Sequence, residues 1–419
     1  DASNADLTRT VALMNTYRTI HSSLSFTPKN ESTFFRKELS QILVNYTLRI
    51  NDTDDKTFLQ FIDLPSMDKS SQAMMRMLFS EKNLGSSMDV GFKGNPNIGS
   101  IVLNQIVDSN DFANNFESGD KIFIISSIFG GTGASGFPLL LKTLRTGTNF
   151  PNNDLINHAE IGAITILPYF KLKNDDESEI DSSTFISKTK SALAYYENNI
   201  SKNKSIDALY FLADNVTNTY ENHEGGSAQQ NDAHLVEFLA ATAIVDFSNK
   251  QHANTSNKEL GLKELTNSVT FDSFYENQKR LLFAPLTEFM MMTNCLNHKF
   301  DYYSSKDFNA NNDNFNGLYG SSFMTELQNL TGLFIEWLDE MKRNKRSLDL
   351  FNLNTKDKPF EVVTGVKPKK IISLKSDYDL VTDRLNSAVK KCQSKEDNDK
   401  FLEMFFLAMR KLFNEKFNA

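Results

Sequence analysis

Cysteine is nearly lacking: only Cys295 and Cys392 are present, far apart and at no zinc-ligand spacing. That excludes a disulfide framework and a cysteine metal centre, and it suits two packed thiols in a reducing cytoplasm. Long apolar runs are lacking too. The longest, around 121–129 and 161–168, fall far short of the roughly 20 residues that cross a bilayer, so no membrane span is expected. Basic charge is not in excess, since 45 Lys and Arg stand against 53 Asp and Glu for a net charge of −8. Nucleic acid is therefore not an expected partner. The first ten residues have neither the basic nor the apolar stretch of a secretory signal. No internal repeat and no heptad array interrupts the chain. Glycine and proline are sparse, with 18 and 9 residues in 419, which makes the places where glycines gather informative.

What is present is enough apolar bulk for sizeable cores: 40% hydrophobic residues, with 34 Phe and 12 Tyr. A chain of this length divides into two or three domains. Its first half alternates β-rich runs with helical stretches, the pattern of a parallel sheet with helices on both faces. Lys121–Phe129 reads as a central strand buried on both sides, followed by strands at Ile161–Leu167 and Ile206–Leu212. Helices are expected at Asn97–Asn110, Phe137–Leu144 and Ser183–Asn199. Asn231–Phe247 is apolar nearly all round and reads as a helix buried between layers. A polar linker at Ser248–Lys258 leads to an α+β remainder. Its clearest helices are Met324–Lys342 and Phe401–Phe413, Leu281–Leu296 reads as an irregular core helix, and weaker β signals lie at Glu361–Val363 and Lys370–Ser373.

Two glycine-rich segments carry the chemistry. Phe129-Gly-Gly-Thr-Gly-Ala-Ser-Gly-Phe-Pro138 stands between a buried strand and a helix. Gly130, Gly131 and Gly133 let successive amides point inward, and the helix that follows adds free N–H groups and a positive dipole end, together a cradle for phosphate oxygens. A tight turn without a ligand is the alternative reading. No Gly-Lys-Ser/Thr follows, so this is not a Walker loop, and the spacing is not that of the dinucleotide fingerprint. Upstream, Gly91-Phe-Lys-Gly-Asn-Pro-Asn-Ile-Gly99 again precedes a helix; its plainer reading is an Asn-Pro turn.

Together these two segments resemble those of the tubulin and FtsZ superfamily. The FtsZ string Gly-Gly-Gly-Thr-Gly-Thr-Gly-Ala-Ala-Pro aligns without a gap on Phe129–Pro138, keeping Gly130, Gly131, Thr132, Gly133 and Pro138. Phe129, Ala134, Ser135, Gly136 and Phe137 depart from it. The family's Gly-Ala-Asn-Pro loop is similar to Gly94, Asn95 and Pro96 with Gly99 beyond, Gly94 standing in place of the Ala. Pro168 and Tyr169, closing a buried strand, look like the family's turn before its ribose-facing loop. The resemblance covers residues 1–247 and is nearest to divergent tubulin-like proteins of bacteria.

The fold it implies is a Rossmann-like α/β GTPase domain over 1–230, a long central helix over 231–247, and an α+β C-terminal domain over 259–419. It implies GTP or GDP with Mg²⁺ as cofactors. Phosphate contacts would come from Gly130, Gly131, Thr132, Gly133, Ala134, Ser135, Gly94, Asn95 and Pro96, and the guanine edge would be read by Asn231 or Asp232. Asp1 and Asn4 would lie on the ribose and magnesium side. Capping of the central helix is the competing role for Asn231 and Asp232. The family's first strand and first glycine loop would precede Asp1 in the natural chain.

The implied activity is head-to-tail assembly of identical cytoplasmic subunits into filaments, nucleotide lying between them. The family's Glu and Arg after the Pro-Phe turn are replaced by 171–177, and its Asn-X-Asp-X-X-Asp activating string does not follow Phe247. Asp246 and Asp272 are the nearest acidic substitutes, each with a structural role as the simpler reading. The expectation is therefore nucleotide binding with slow or defective hydrolysis, the alternative being a GTP-binding regulator that does not polymerise.

Overall fold

The structure is a computed structural model and describes residues 5–25, 33–40, 53, 55–88, 91–92, 94–104, 113–148, 151–173, 182–215, 218–221, 231–249, 261–264, 266–304, 315–356, 358–369 and 375–417. Helices of eight or more residues are numbered in chain order. They are α1 (Ala5–Ser22), α2 (Lys69–Leu78), α3 (Pro96–Leu103), α4 (Gly131–Thr146), α5 (Phe185–Tyr196), α6 (Leu235–Asn249), α7 (Glu276–His298), α8 (Ser322–Arg343), α9 (Asp377–Val389) and α10 (Asp397–Lys416). The strands are β1 (Lys121–Ser127), β2 (Glu160–Ile166), β3 (Phe170–Leu172), β4 (Ala208–Leu212), β5 (Asn218–Tyr220), β6 (Ser268–Val269) and β7 (Ser347–Leu348). The chain forms two compact units: 1–7, 41–231 and 236–257 make the first, and 8–40, 232–235 and 258–419 the second. Residues 8–40 thus cluster with the second unit, whereas the sequence division had placed them in the first.

The first unit is α/β. Its main sheet is parallel with strand order β1-β2-β4, and Ile122 pairs with Ile161 while Gly162 pairs with Ala208. Strand β2 occupies the centre, and Ile161 to Thr165 are all buried. Here one sequence expectation is corrected. Among the described residues β1 has a neighbour on one side only, and Ile125 is 58% exposed. An apolar run says that a strand is mostly covered, not where it sits in the sheet.

One face of the sheet buries Ile122, Ile124 and Ala163 against Phe137 and Leu141 of α4 and Tyr196 of α5. The other packs Ile164 on Ala240 and Ala243 of α6, with Phe123 ringed against Phe247. Arg145, in the last turn of α4, locks this layer. Its guanidinium donates to the carbonyls of Ser205, Asn157 and Ala159 and to the Asp207 carboxylate at 2.8 Å, and that carboxylate also accepts the Ile161 amide. A second parallel pair, β3 with β5, follows the β2 turn.

Among the described residues the second unit is helical apart from β6 paired with β7, two residues each, and single antiparallel bridges such as Phe351 with Val363. The expected strand at Glu361–Val363 is thus reduced to one bridge, and Lys370–Ser373 lies outside the described residues. Helix α7 runs through the core: Met290, Met291, Met292 and Cys295 are each at most 1% exposed. Helices α9 and α10 pack as a hairpin. Ser376 caps α9, and the buried Glu403 carboxylate accepts the amides of Gln393 and Ser394 in the connecting turn.

Two more expectations are corrected. The resemblance implies that the opening residues 1–7 are the end of the family's second strand and its loop, whereas Ala5–Leu7 form the first turn of α1. The sequence around Asp272 reads as a β-like run, whereas the residue lies in a 3-10 turn and Lys279 pairs with it at 2.5 Å.

Candidate functional site

Glycine chemistry at the end of β1 shapes the site. The β1–α4 connection is only Ile128–Gly130, because the helix begins at Gly131, six residues earlier than the sequence suggested. What reads as a glycine loop is the first turn of a helix. Gly130 is its N-cap, with extended backbone and no side chain to offer, so the N-cap residue makes no side-chain hydrogen bond to the amides that open α4. The first N–H groups of a helix have no intrahelical acceptor and carry its partial positive charge.

The upstream segment folds against this turn. Gly94 has φ +73°, a backbone that side-chain-bearing residues rarely adopt. That reversal delivers Asn95 to the N-cap of α3, where its side-chain oxygen accepts the amides of Asn97 and Ile98 and Pro96 sits at the first helical position. A Cβ at Gly131 would lie 3.0 Å from the Asn95 amide and 2.9 Å from Phe92, and one at Gly99 would lie 3.0 Å from the Gly131 carbonyl. Only glycine allows this approach. It sets the N-termini of α3 and α4 side by side, one capped by its own asparagine and the other left open.

A third helix start joins them. Phe185, the first residue of α5, packs its ring 4.9 Å from Phe129, which directly precedes Gly130. Lys188, one turn into α5, donates from Nζ to the Gly94 carbonyl at 2.7 Å. None of α3, α4 and α5 has an acidic residue in its first turn. The corner thus gathers three helix N-termini and a lysine, with no first-turn carboxylate to offset them. A multiply charged anion is the ligand such a field favours.

The expected phosphate residues divide by position. Gly130, Gly131, Thr132 and Gly133 form the open turn, with Thr132 exposed and its hydroxyl 4.0 Å from where a Cβ on Gly91 would stand. Ala134 borders a groove of about 1150 Å³ that runs between α4 and α5, lined also by Asn97, Lys142, Lys188 and Tyr195. Ser135 is corrected. Its hydroxyl is buried and donates to the Gly131 carbonyl at 2.6 Å, turned into the α3–α4 contact rather than toward a ligand. Asn95 is likewise committed by its side chain to capping α3.

The base-side residues fall differently. Helix α6 starts at Leu235, so Asn231 and Asp232 stand in the irregular approach to it and neither opens the helix. Both are exposed, and the Asp232 carboxylate lies 3.8 Å from Arg343. Asp1 and Asn4 lie outside the described residues. Among the described residues no cluster of three His, Cys, Asp or Glu could hold a metal ion. The donors at the corner are amides and an ammonium, so a magnesium ion there would be held through phosphate oxygens and water.

Of the acids weighed for water activation, Asp246 accepts the Tyr210 hydroxyl at 2.9 Å; burial, with this bond and the carboxylate's charge adding to it, pushes that phenol well above its ordinary pKa. Burial also raises the Tyr169 phenol beyond the β2 turn, with the Glu237 carboxylate adding to it. Sequence reasoning missed two residues. Lys188 reaches Gly94 from far along the chain and leaves no local signal, and Ser127, closing β1, places its hydroxyl beneath Gly130 and Gly133. Among the described residues no helix is long and apolar enough to cross a membrane. Comparison of the chain with protein-family models, with curated proteins and with solved structures gave no match.

Proposed function

We propose that the first unit binds a guanine nucleotide by its phosphates at the open N-terminus of α4, in the manner of the tubulin and FtsZ superfamily. Identical copies then assemble head to tail into filaments. The observation that carries the reading is the glycine-permitted contact of α3 and α4 beyond the C-terminal end of a parallel strand, which leaves the amides of Gly131, Thr132 and Gly133 uncapped. Phosphate oxygens would accept from these amides and from the Thr132 hydroxyl, in charge-assisted hydrogen bonds that contribute about 1.5–3 kcal/mol each. Each helix end adds about 0.3–1 kcal/mol toward the anion, more where partly buried. Magnesium, when bound, would neutralise charge on the phosphates, and this chain's part is to orient them.

A second reading, a GTP-binding regulator that does not polymerise, is favoured by one observation. Both acids weighed for water activation are engaged, Asp246 by Tyr210 and Asp272 by Lys279. The two readings separate in a sedimentation assay of the purified protein with Mg²⁺ and either GTP or GDP. Pelleting with GTP alone supports the filament. Binding of GTP without pelleting, at any protein concentration tried, supports the regulator. If neither nucleotide binds, both readings fall.

A further inference from the structure

Helix α5 continues into a π turn at Glu197–Ser201, and this run borders the groove of about 1150 Å³ between α4 and α5. Ser187, Ser191, Tyr195, Asn199 and Asn203 line the groove at intervals of four residues, all of them exposed. Their donors are engaged locally. The hydroxyls of Ser187 and Ser191 donate to the carbonyls of Thr184 and Ser187, and the side-chain amides of Asn199 and Asn203 donate to the carbonyls of Tyr195 and Asn199. What these four side chains keep for a ligand is therefore a row of oxygen acceptors. Four residues advance about 6 Å along a helix, and two residues about 6.6–6.8 Å along an extended chain. Such a row is in step with every second N–H of an extended peptide, a donor that a sugar-phosphate backbone does not have. The groove also has a sign of charge: no Asp or Glu lines it. Of its cations, Arg145 is paired with Asp207 and Lys188 is held at the Gly94 carbonyl, while Lys142 is exposed and has no ion pair among the described residues. A further observation points to a ligand. Tyr196 lines the groove and is 1% exposed, yet its hydroxyl has no hydrogen-bond partner among the described residues. Burial, with the Tyr195 phenol adding to it, raises this phenol above its ordinary range, so it stays a neutral donor. A buried hydroxyl without a partner costs stability that a bound acceptor restores.

We propose that the α4–α5 groove binds an extended acidic peptide segment of a partner protein. Its backbone N–H groups donate to the acceptor row of α5, a backbone carbonyl accepts from Tyr196, and its carboxylates lie toward Lys142. The exposed, rotatable side chains of Lys142 and Tyr195 let the rim adjust as the peptide enters. This site does not depend on the nucleotide reading.

A phage-displayed library of random heptapeptides, selected on the purified full chain at physiological ionic strength, is the probe, and it is expected to enrich sequences rich in Asp and Glu. Fluorescence anisotropy with an enriched peptide then locates the site. Lys142→Glu should weaken binding about fivefold or more, and Asn199→Ala and Tyr196→Phe about two- to tenfold each. Lys190→Glu makes the same charge change on an exposed residue of α5 outside the groove, and should alter affinity by less than about twofold. A peptide with its acids replaced by lysine should prefer the Lys142→Glu protein to the parent. Tyr196→Phe should unfold at no lower temperature than the parent, since the hydroxyl it loses has no partner, and this separates a binding role from a structural one. A selection that enriches nothing or shows no acidic bias would overturn the proposal. So would equal effects of Lys142→Glu and Lys190→Glu, or peptide binding left unchanged by both Asn199→Ala and Tyr196→Phe. None of these outcomes bears on nucleotide binding, which the sedimentation assay decides separately.

Discussion

Substituting Gly133 by alanine tests the packing that leaves the α4 turn open. A Cβ on Gly133 would stand 2.6 Å from the Ser127 carbonyl oxygen and 2.8 Å from the Ser127 amide nitrogen. These are backbone atoms of β1, which cannot rotate aside as a side chain would. Either α4 lifts from the strand end or β1 bends, and overpacking of this kind costs about 1–3 kcal/mol. Alanine recovers up to about 1 kcal/mol of helix propensity, less in a first turn. The net expectation is a loss of about 1–2 kcal/mol, and for a unit of this size about 2–4 °C in midpoint for each kcal/mol. Gly136→Ala is the internal control, for there the nearest atom is Leu103 Cδ1 at 3.3 Å, the end of a flexible side chain. That variant should be neutral or stabilised by up to about 1 kcal/mol. Calorimetric and urea unfolding of both variants give the comparison. A Gly133→Ala protein as stable as Gly136→Ala would refute the close approach of α4 to β1.

Other outcomes follow from the same contacts. Arg145→Met should lower stability by about 1–3 kcal/mol, since it strips donors from three part-buried carbonyls, while the exposed Asp207 carboxylate that loses its ion partner adds little, read by urea unfolding. Asn95→Ala removes the α3 cap and should cost about 1 kcal/mol in the same assay. Cys295 is fully buried and its thiol is pushed up to about 12, so iodoacetamide at mildly alkaline pH should alkylate it only after denaturation, as mass spectrometry of the peptides would report. Burial raises the Glu288 carboxyl above its usual range, partly offset by Arg410 at 3.7 Å. The folded state then holds that proton to higher pH than the unfolded chain. Stability from this group is therefore full below the unfolded value and is lost as pH rises through the folded one. Glu288→Gln should flatten that part of the midpoint-against-pH curve above about pH 4.5.

Much of the first unit was legible in the sequence. The runs at Lys121, Ile161 and Ile206 became β1, β2 and β4 within two residues of their expected starts, because β-branched apolar runs bounded by turns have few alternatives. Strand order was not legible, and β1 proved to border β2 alone among the described residues. The start of α4 was missed for a related reason. Glycine is a poor helix former, and only the tertiary demand for close approach to Phe92, Asn95 and Ser127 explains glycines in a first helical turn. Helix α9 carried a legible signal that was passed over, Ser376 followed by Asp377 and Asp379, an N-cap with acids in the first turn. Lys188 and Arg145 act over long sequence separations that periodicity cannot register. Phe35 takes a left-handed backbone at φ +59° against the Tyr17 and Phe289 rings, a conformation no local rule predicts for phenylalanine.

The claim at the centre of the account is that the open turn of α4 holds nucleotide phosphates. The most direct measurement is chromatography of what the purified, natively isolated protein releases on denaturation, with a Gly131→Val protein prepared beside it. A Cβ at Gly131 would meet Phe92 and the Asn95 amide, so valine must part α3 from α4. The account predicts near-stoichiometric GDP or GTP from the parent and little from the variant at matched folding by circular dichroism. Guanine nucleotide retained equally by a folded Gly131→Val protein would contradict it, as would a parent that releases none and binds none when GTP is added.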